Sequence, residues 1–271
     1  MSHAISQQQS ASDDTSGTPV SVRLSVVAPA HNEQDNVEAL VNEVHQALAP
    51  AGLSFEMIVV DDGSTDDTQP RLRALRTTRP WLRILEMQNT PPGKGLGQSA
   101  AFQAGFRAAR GELIAVLDAD LQNDPADLPS MLEVMDKTDA DMVQGDRSAN
   151  RRDHVGRRVG SWVGRTVRGL LLGDAIRDTG CSLRVMKAEI ARSVPLQYRG
   201  MHRFIPVTAR QLGYTVVEAP VHHRPRIAGE PKYGTFNRAI PSLIDCLAVR
   251  WMSNRRRPTE AVEISAGPNE R

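Results

Sequence analysis

Short apolar runs alternate with longer amphipathic segments through the first 145 residues of the chain. In the longer segments apolar residues recur every three or four positions, as on one face of a helix, whereas continuous short runs are typical of strands buried on both sides. The pattern predicts strands at 22–28, 55–60, 82–87, 112–117 and 140–145, with helices at 34–49, 66–78, 126–137 and from the Thr90–Gly97 loop to about residue 109. This alternation predicts an α/β fold with a mostly parallel, twisted sheet covered by helices on both faces.

After residue 145 the pattern becomes basic and irregular, around SANRRDHVGRRVGSWVGR. We therefore predict a boundary between residues 145 and 146 inside a single domain spanning 21–253, with disordered tails at 1–20 and 254–271, the second of them basic. The remaining elements are predicted as helices at 159–172 and 202–212, a strand at 215–221, a loop from Asp178 to Arg184 and a final helix before Arg255.

Composition and charge narrow the class of protein. The 271 residues are 40% hydrophobic, enough for a sizeable core, and 33 Lys and Arg against 32 Asp and Glu argue against a protein that binds nucleic acid by long-range charge. Cys181 and Cys246 lie far apart without metal or disulfide spacing, as in a reduced cytosolic protein. The first nineteen residues lack a secretory signal, and the apolar stretch AIPSLIDCLAV is interrupted by Pro241 and Asp245, so we expect any membrane contact to be peripheral.

Acidic residues follow three of the predicted strands at the point where each strand ends. They are Glu33, the pair Asp61–Asp62, and Asp118–Ala119–Asp120, with Gln122 two positions further on. Parallel strands bring their carboxyl ends to one crevice, so we expect a nucleotide site there, with Mg²⁺ or Mn²⁺ held by Asp118, Asp120 and Gln122. Each signal has a simpler alternative, in which the carboxylates and Asn32, Ser64 or Thr65 only cap turns and helices.

A glycine-rich segment lies between the third strand and the following helix. Gly93–Lys94–Gly95 lacks the upstream glycine of a phosphate-binding P-loop, whereas residues 95–100 match the GxGxxA pattern of dinucleotide-binding proteins. In those proteins the motif follows the first strand directly, but here two strands precede it. The position therefore argues against an oxidoreductase.

Seven motifs occur in order: PAHNE (29–33), VVDDGSTDDT (59–68), LDADLQNDP (117–125), GDR (145–147), DTGCSLR (178–184), HRFIP (202–206) and HRPRIAGEPKY (223–233). Over residues 22–253 the chain resembles family 2 of the inverting glycosyltransferases, especially polyprenyl-phosphate sugar transferases of the dolichol-phosphate mannosyltransferase type. The resemblance implies a GT-A-like fold, a nucleotide diphosphate sugar as donor, Mg²⁺ or Mn²⁺, and an undecaprenyl or dolichyl phosphate as acceptor. Residues 21–145 would then form the nucleotide-sugar half and 146–253 the acceptor half.

The resemblance also assigns roles to residues. It implies nucleoside contacts from Pro29, His31, Glu33, Val60 and Asp62, diphosphate and metal contacts from Asp118, Ala119, Asp120 and Gln122, a phosphate contact from Arg147, and closure over the donor by Arg226 and Lys232. The chain differs from the usual pattern at His31 in place of Tyr, at Asp146 in place of Ser or Thr, and at Pro231 in place of Ser.

The acceptor is the least defined part of the site. The candidates for binding the acceptor phosphate are Arg147, Arg157, Arg158 and Ser161, because guanidinium groups match the geometry of phosphate oxygens. A basic surface exposed to solvent would show the same sequence pattern. A phosphate dianion attacks without a general base. A hydroxyl acceptor would need one, for which Asp178 is the candidate, unless it only orients substrate or forms a turn. A catalytically weak sugar-nucleotide-binding partner protein is the third possibility.

The final predicted helix carries an apolar stripe at three- and four-residue spacing, formed by Phe236, Ile240, Leu243, Ile244, Leu247 and Trp251 and followed by Arg255–Arg257. This pattern is typical of a helix that docks on an anionic membrane surface, and equally of one that packs on a core. Docking would place the protein in the cytoplasm, peripheral on the cytoplasmic membrane face. The sugar, the nucleobase, the prenyl length and the oligomeric state stay open.

Overall fold

A computed structural model describes residues 21–91, 93–148, 155–225 and 239–257. The predicted tail at 1–20 lies outside these ranges, as does the second predicted tail, 254–271, from Pro258 onward. The prediction of disorder is wrong for Asn254 and Arg255, which belong to the last helix, Ala239–Arg255. Four residues with predicted roles, Arg226, Pro231, Lys232 and Phe236, also lie outside. For Arg157, Arg158 and Ser161 only the helical backbone is described.

The described residues alternate between strands and helices as the sequence pattern predicts. The strands are β1 Leu24–Ala30, β2 Phe55–Asp61, β3 Leu82–Glu86, β4 Leu113–Val116, β5 Met142–Asp146, β6 Arg184–Lys187 and β7 Val216–Pro220. The helices are α1 Val37–Leu48, α2 Thr68–Arg76, α3 Gln98–Ala108, α4 Leu128–Thr138, α5 Val155–Leu172, α6 Ala188–Ser193, α7 Ile205–Gln211 and α8 Ala239–Arg255, with 3-10 turns at Ala49–Ala51, Pro125–Asp127 and Met201–Phe204.

The strands form one seven-stranded sheet in the order β3-β2-β1-β4-β6-β5-β7. β1 lies near the centre and pairs in parallel with β2 and β4, so that Leu24 faces Phe55 on one side and Leu113 on the other. Its alternate side chains enter two cores: Val26 packs with α1, α2 and α4, whereas Val27 packs with α3 and α6 to α8. Burial on both faces explains the continuous apolar runs, and the prediction of a mostly parallel α/β sheet is confirmed.

Two elements escaped prediction, β6 and the short helix α6 that follows it. β6 runs antiparallel to β4 and β5 and lies between them. It has only four residues, RVMK, with a cation at each end, so the sequence shows no alternation. Its strand conformation comes instead from long-range pairing, which buries Val185 and Met186 completely.

Close packing of α3 on the sheet depends on Gly105. A methyl group at this position would lie 2.4 Å from Val27 Cγ1 and 3.2 Å from Val60 Cγ2. We expect Gly105→Ala to lower the free energy of unfolding by about 1–3 kcal/mol, because the stiff valines of the sheet cannot move aside. Gly164→Ala in α5 is the matched control, since nothing lies within 4 Å of its added methyl group. It should leave stability unchanged or raise it by up to about 1 kcal/mol in urea unfolding; equal effects of the two changes would contradict this view of the packing.

Candidate active site

A cleft of about 850 Å³ opens at the carboxyl ends of β1, β2 and β4. One wall carries Glu33, Asp62, Asp118 and Asp120, the acidic residues that follow these strands. The facing wall, which we call the far wall, consists of residues 196–200, His202 and Arg203, with Asp245 of α8. The predicted convergence of the strand-end carboxylates therefore occurs.

The side chain of Asp118 is held by two polar neighbours, Ser182 and Gln98, to which the sequence analysis gave no role. Ser182 Oγ donates to Asp118 Oδ2 at 2.7 Å, and Gln98 Nε2 donates to Oδ1. Asn123 Nδ2 in turn donates to Ser182 Oγ at 2.7 Å. Because both oxygens accept hydrogen bonds, the carboxylate has one fixed orientation at the floor of the cleft.

The electrostatics of this carboxylate suit a cation. Burial and the nearby charge of Asp120 raise the pKa of Asp118 to about 6, although Ser182, Arg184 and Arg147 act in the opposite direction. At neutral pH Asp118 therefore carries a negative charge that its surroundings disfavour, and a divalent ion would offset it. Within the described part of the chain, no three His, Cys, Asp or Glu side chains form a ready-made metal cluster, so further oxygens would have to come from an amide or a bound diphosphate.

Gln122 contacts the acidic pair through its backbone. Its N–H donates to Asp120 Oδ1 at 3.2 Å, and its carbonyl accepts from the N–H of Arg224 at 2.9 Å. The Arg224 side chain bonds Asp124 at 2.7 Å, which fixes the far end of the same turn. Gln122 is thus next to the acidic pair but does not line the cleft, and its predicted role as an amide ligand stays a prediction.

Asp62 holds the glycine-rich segment against the cleft. Its two oxygens accept from the N–H groups of Leu96 and Gly97 at 2.8 and 2.7 Å. Gly95 has φ +62°, and a side chain there would collide with the Asp62 carboxylate at 2.5 Å. The prediction that Ser64 or Thr65 caps the next helix is wrong, because the N-cap of α2 is Asp67. Asp61 stabilises the turn instead, since its Oδ1 accepts from the N–H of Ser64 at 3.2 Å.

The residues implied to hold the nucleoside divide into two groups. Pro29, His31 and Glu33 line the cleft beside Asp62, and His31 Nδ1 donates to the Asp62 carbonyl at 2.7 Å, since a carbonyl only accepts. Val60 lies elsewhere: its side chain is completely buried in the core under α3. The side chain therefore does not make the implied nucleoside contact, because β2 is covered by helices on both faces of the sheet.

Arg147 and Asp178 form a largely buried ion pair, and neither side chain lines the cleft. Arg147 Nε and Nη2 donate to the two carboxylate oxygens at 2.8 and 3.0 Å, and the Arg147 backbone N–H adds a third bond at 3.2 Å. Burial alone would lower the pKa of Arg147, but the bonds to Asp178 outweigh it and raise the pKa. Both oxygens of Asp178 are thus engaged with one guanidinium.

Arg184 is a second buried cation near the acidic pair, and sequence analysis missed it. Its side chain donates to the backbone carbonyls of Ser182, His202 and Cys181 at 3.1, 3.1 and 2.6 Å. Burial lowers its pKa to about 10, so it stays charged at neutral pH. The guanidinium joins the Ser182 segment to the far wall and contributes positive charge close to Asp118.

The sequence profile of glycosyl transferase family 2 matches residues 25–194. The chain belongs to glycosyl transferase family 2. The dodecaprenyl-phosphate galacturonate synthase of Rhizobium johnstonii is 38% identical over 247 residues, covering 88% of this chain and 70% of that protein. The undecaprenyl-phosphate 4-deoxy-4-formamido-L-arabinose transferase of Edwardsiella ictaluri is 34% identical, covering 83% and 67%. The predicted resemblance to polyprenyl-phosphate sugar transferases is confirmed.

Solved structures of other sugar-transferring enzymes share the fold of this chain. Glucosyl-3-phosphoglycerate synthase from Mycobacterium tuberculosis, in complex with Mn²⁺, UDP and phosphoglyceric acid, matches with a TM-score of 0.62 at 21% identity and covers 89% of this transferase and 81% of its own chain. A mannosyltransferase from Pyrobaculum calidifontis in complex with GDP-Man and Mn²⁺ matches with a TM-score of 0.60 at 19% identity, over 88% and 66%. The fold is thus of the GT-A type, as predicted. Among the helices described for this chain, none combines the length and apolar character needed to span a membrane.

Proposed function

We propose that this family 2 transferase is a metal-dependent, inverting enzyme that moves a sugar from a nucleotide diphosphate sugar to a polyprenyl phosphate, such as undecaprenyl or dolichyl phosphate. The observation that carries the proposal is the acidic pair Asp118 and Asp120, which faces a nucleotide-sized cleft in a chain similar to polyprenyl-phosphate sugar transferases. The donor would enter between the acidic wall and the far wall.

Asp118, Asp120 and Gln122 are the residues proposed to hold Mg²⁺ or Mn²⁺. A bound divalent ion supplies Lewis-acid stabilisation of the negative charge that grows on a leaving diphosphate. Pro29, His31, Glu33 and Asp62 would bind the nucleoside side of the donor, with Asp62 acting through the glycine-rich segment that it holds. Arg226 and Lys232, outside the described residues, would close over the donor.

The state of Asp178 favours a phosphate acceptor over a hydroxyl acceptor. A hydroxyl needs a general base within hydrogen-bonding reach, but both Asp178 oxygens already accept from Arg147 and only 7% of the side chain is exposed. A phosphate monoester carries its own negative charge and needs only to be positioned and neutralised. We assign that task to Arg147, with Arg157, Arg158 and Ser161 as further candidates in α5.

A direct assay tests the proposal. Purified protein is incubated with labelled nucleotide diphosphate sugars, Mg²⁺ or Mn²⁺, and undecaprenyl or dolichyl phosphate, and label is followed into an organic phase. We expect label in the lipid phase with at least one donor, and loss of transfer when EDTA removes the divalent ion. Transfer to a saccharide hydroxyl with no lipid product in any combination would reject the acceptor assignment.

We further propose that α8 docks the enzyme on the cytoplasmic face of the membrane. The predicted stripe faces solvent, with Ile240 71%, Ile244 59% and Trp251 60% exposed, because the helix packs on the core through Cys246 and Val249 instead. Arg255 lies 5.2 Å from the Trp251 ring, so cationic and aromatic groups end the same stripe. Apolar residues next to cations suit an anionic lipid surface.

The double variant Ile244→Ser/Leu247→Ser tests this docking. Burying one such side chain contributes about 1.5–3 kcal/mol, so we expect binding to phosphatidylglycerol vesicles to fall by more than about tenfold in sedimentation. Activity on a short, water-soluble prenyl phosphate should change little. Lys137→Ser on α4, which packs on the opposite face of the sheet, is the control for altered surface. Unchanged vesicle binding by the double variant would reject docking through α8.

A further inference from the structure

The hydrogen bonds of His202 on the far wall define which of its ring nitrogens carries a proton. His202 lies in the 3-10 turn Met201–Phe204 and faces α3. Its Nδ1 is 2.9 Å from Ser99 Oγ, and its own backbone N–H donates to the same Oγ at 3.2 Å. Ser99, at the beginning of α3, is 4% exposed.

A hydroxyl group has one proton to donate and lone pairs that accept. Ser99 Oγ accepts the backbone N–H of His202, and among the described residues Nδ1 is the one acceptor within hydrogen-bonding distance of the hydroxyl, so we assign the Ser99 proton to the bond with Nδ1. Nδ1 is then an acceptor, and in a neutral ring the proton must be on Nε2. The ring is neutral, because burial and then the charges of Arg203 and Arg184 lower the pKa of His202 to about 3.

The Nε2–H group has access to the cleft. Nε2 has no hydrogen-bond partner among the described residues, and it is not one of their buried unpaired polar atoms. His202 lines the cleft together with Gln98, Ser99 and Asp118, while Phe102 packs at the side of its ring with 6.4 Å between centroids. The ring is therefore held from the interior and presents an uncharged N–H donor to a ligand.

We propose that His202 is a substrate-binding residue whose Nε2–H donates to a hydroxyl oxygen of the transferred sugar; this rests on the proposed function. Cations are present for the anionic parts of the substrates, with Arg147 and Arg184 near Asp118 and Lys94, Arg199 and Arg203 on the cleft walls. A neutral donor matches a neutral hydroxyl, and the buried Ser99 contact limits its rotation. His202 would thus contribute to the choice of sugar without contacting the nucleoside.

Two variants separate the Nε2 donor from the Ser99 contact. In His202→Gln the side-chain amide reaches about the position of Nε2 and keeps a donor toward the cleft, whereas in His202→Asn it reaches only that of Nδ1. Calorimetry with Mg²⁺ compares two ligands: the nucleotide diphosphate sugar that most raises the wild-type melting temperature, and the same nucleoside diphosphate without sugar. We expect His202→Asn to weaken the sugar nucleotide by about 5- to 10-fold and the nucleoside diphosphate by less than about twofold, with His202→Gln near wild type for both.

Other outcomes overturn the inference. Equal weakening of both ligands would assign His202 to the diphosphate, a changed KM for the lipid alone would assign it to the acceptor, and equal loss in both variants would make it a packing residue. The ¹⁵N resonances of His202 at pH 7 give an independent reading, since a proton on Nδ1 contradicts the tautomer whatever the variants do. A wild-type protein that binds no nucleotide diphosphate sugar rejects the proposed function as well, whereas failure confined to the variants rejects only this inference.

Discussion

Asp118→Asn is expected to abolish sugar transfer while leaving the protein at least as stable as the wild type. The change removes one of two carboxylates proposed to hold the metal, and metal stabilisation of a leaving group is worth several kcal/mol, so kcat should fall by about 10³-fold or more. The asparagine oxygen still accepts from Ser182, and Gln98 can rotate its amide to accept from the new NH₂ group. Radiolabel transfer to prenyl phosphate measures the loss.

Stability should respond to pH in a defined direction. Because the pKa of Asp118 is raised to about 6 in the folded protein, from an ordinary value of 3.8, the ionised carboxylate destabilises the metal-free wild type above pH 6. The destabilising contribution of Asp118 therefore shrinks as pH falls through 6, and it is gone below about pH 4. The melting-temperature advantage of Asp118→Asn should be largest near pH 7.5 and should disappear toward pH 4, as thermal scans in EDTA would reveal.

Asp127→Asn is the control variant, for which we expect the opposite changes in activity and stability. Asp127 is buried outside the cleft, and its carboxylate binds the backbone N–H and Nδ1 of His222, each at 2.7 Å. Its replacement should lower stability and leave kcat near wild type. If Asp118→Asn instead retained more than about a tenth of wild-type kcat, the acidic pair would not be the centre of the chemistry.

The parts of the site that sequence predicted are those set by strand ends. Glu33, Asp62, Asp118 and Asp120 converge because parallel strands share one edge, a consequence that needs no knowledge of side-chain contacts. What local pattern did not reveal is what each carboxylate does. Asp62 binds backbone N–H groups of residues more than thirty positions away, and no sequence pattern predicts these hydrogen bonds.

Residues joined only by the fold were missed altogether. Ser182 reaches Asp118 because β6 lies beside β4, and β6 itself is recognisable only from its pairing. The Ser99–His202 contact spans 103 positions in the same way. For α8 the apolar stripe in the sequence was compatible with both core packing and surface docking. In the structure α8 packs on the core through Cys246 and Val249, which are not part of that stripe.

Asp178→Asn is expected to lower kcat/KM for the prenyl phosphate by about 100-fold, through Arg147. The fork between the two side chains fixes the direction of the guanidinium, and breaking a buried charge pair leaves the remaining charge uncompensated. Donor binding, measured with the nucleotide sugar alone, should stay within about threefold. A lost acidic limb in the pH–rate profile, with normal acceptor KM, would indicate a general base instead.

Asp174→Asn is the matched control from the same loop. Arg168 Nε donates to Asp174 Oδ2 at 2.6 Å in a pair that is also largely buried, and neither residue is proposed to contact a substrate. We expect a comparable loss of stability with acceptor kinetics near wild type. A similar fall in acceptor kcat/KM for both variants would mean that loop integrity, rather than the orientation of Arg147, is what the assay detects.

A double-mutant cycle decides how Asp178 acts. If its only contribution is to orient Arg147, then in an Arg147→Ala background the further change Asp178→Asn has nothing left to disturb, and the two losses should not add. The expected double variant is therefore about as active as Arg147→Ala alone. Additive losses would require that Asp178 contact the substrate in its own right, and the case for a phosphate acceptor that needs no base would lose the observation on which it depends.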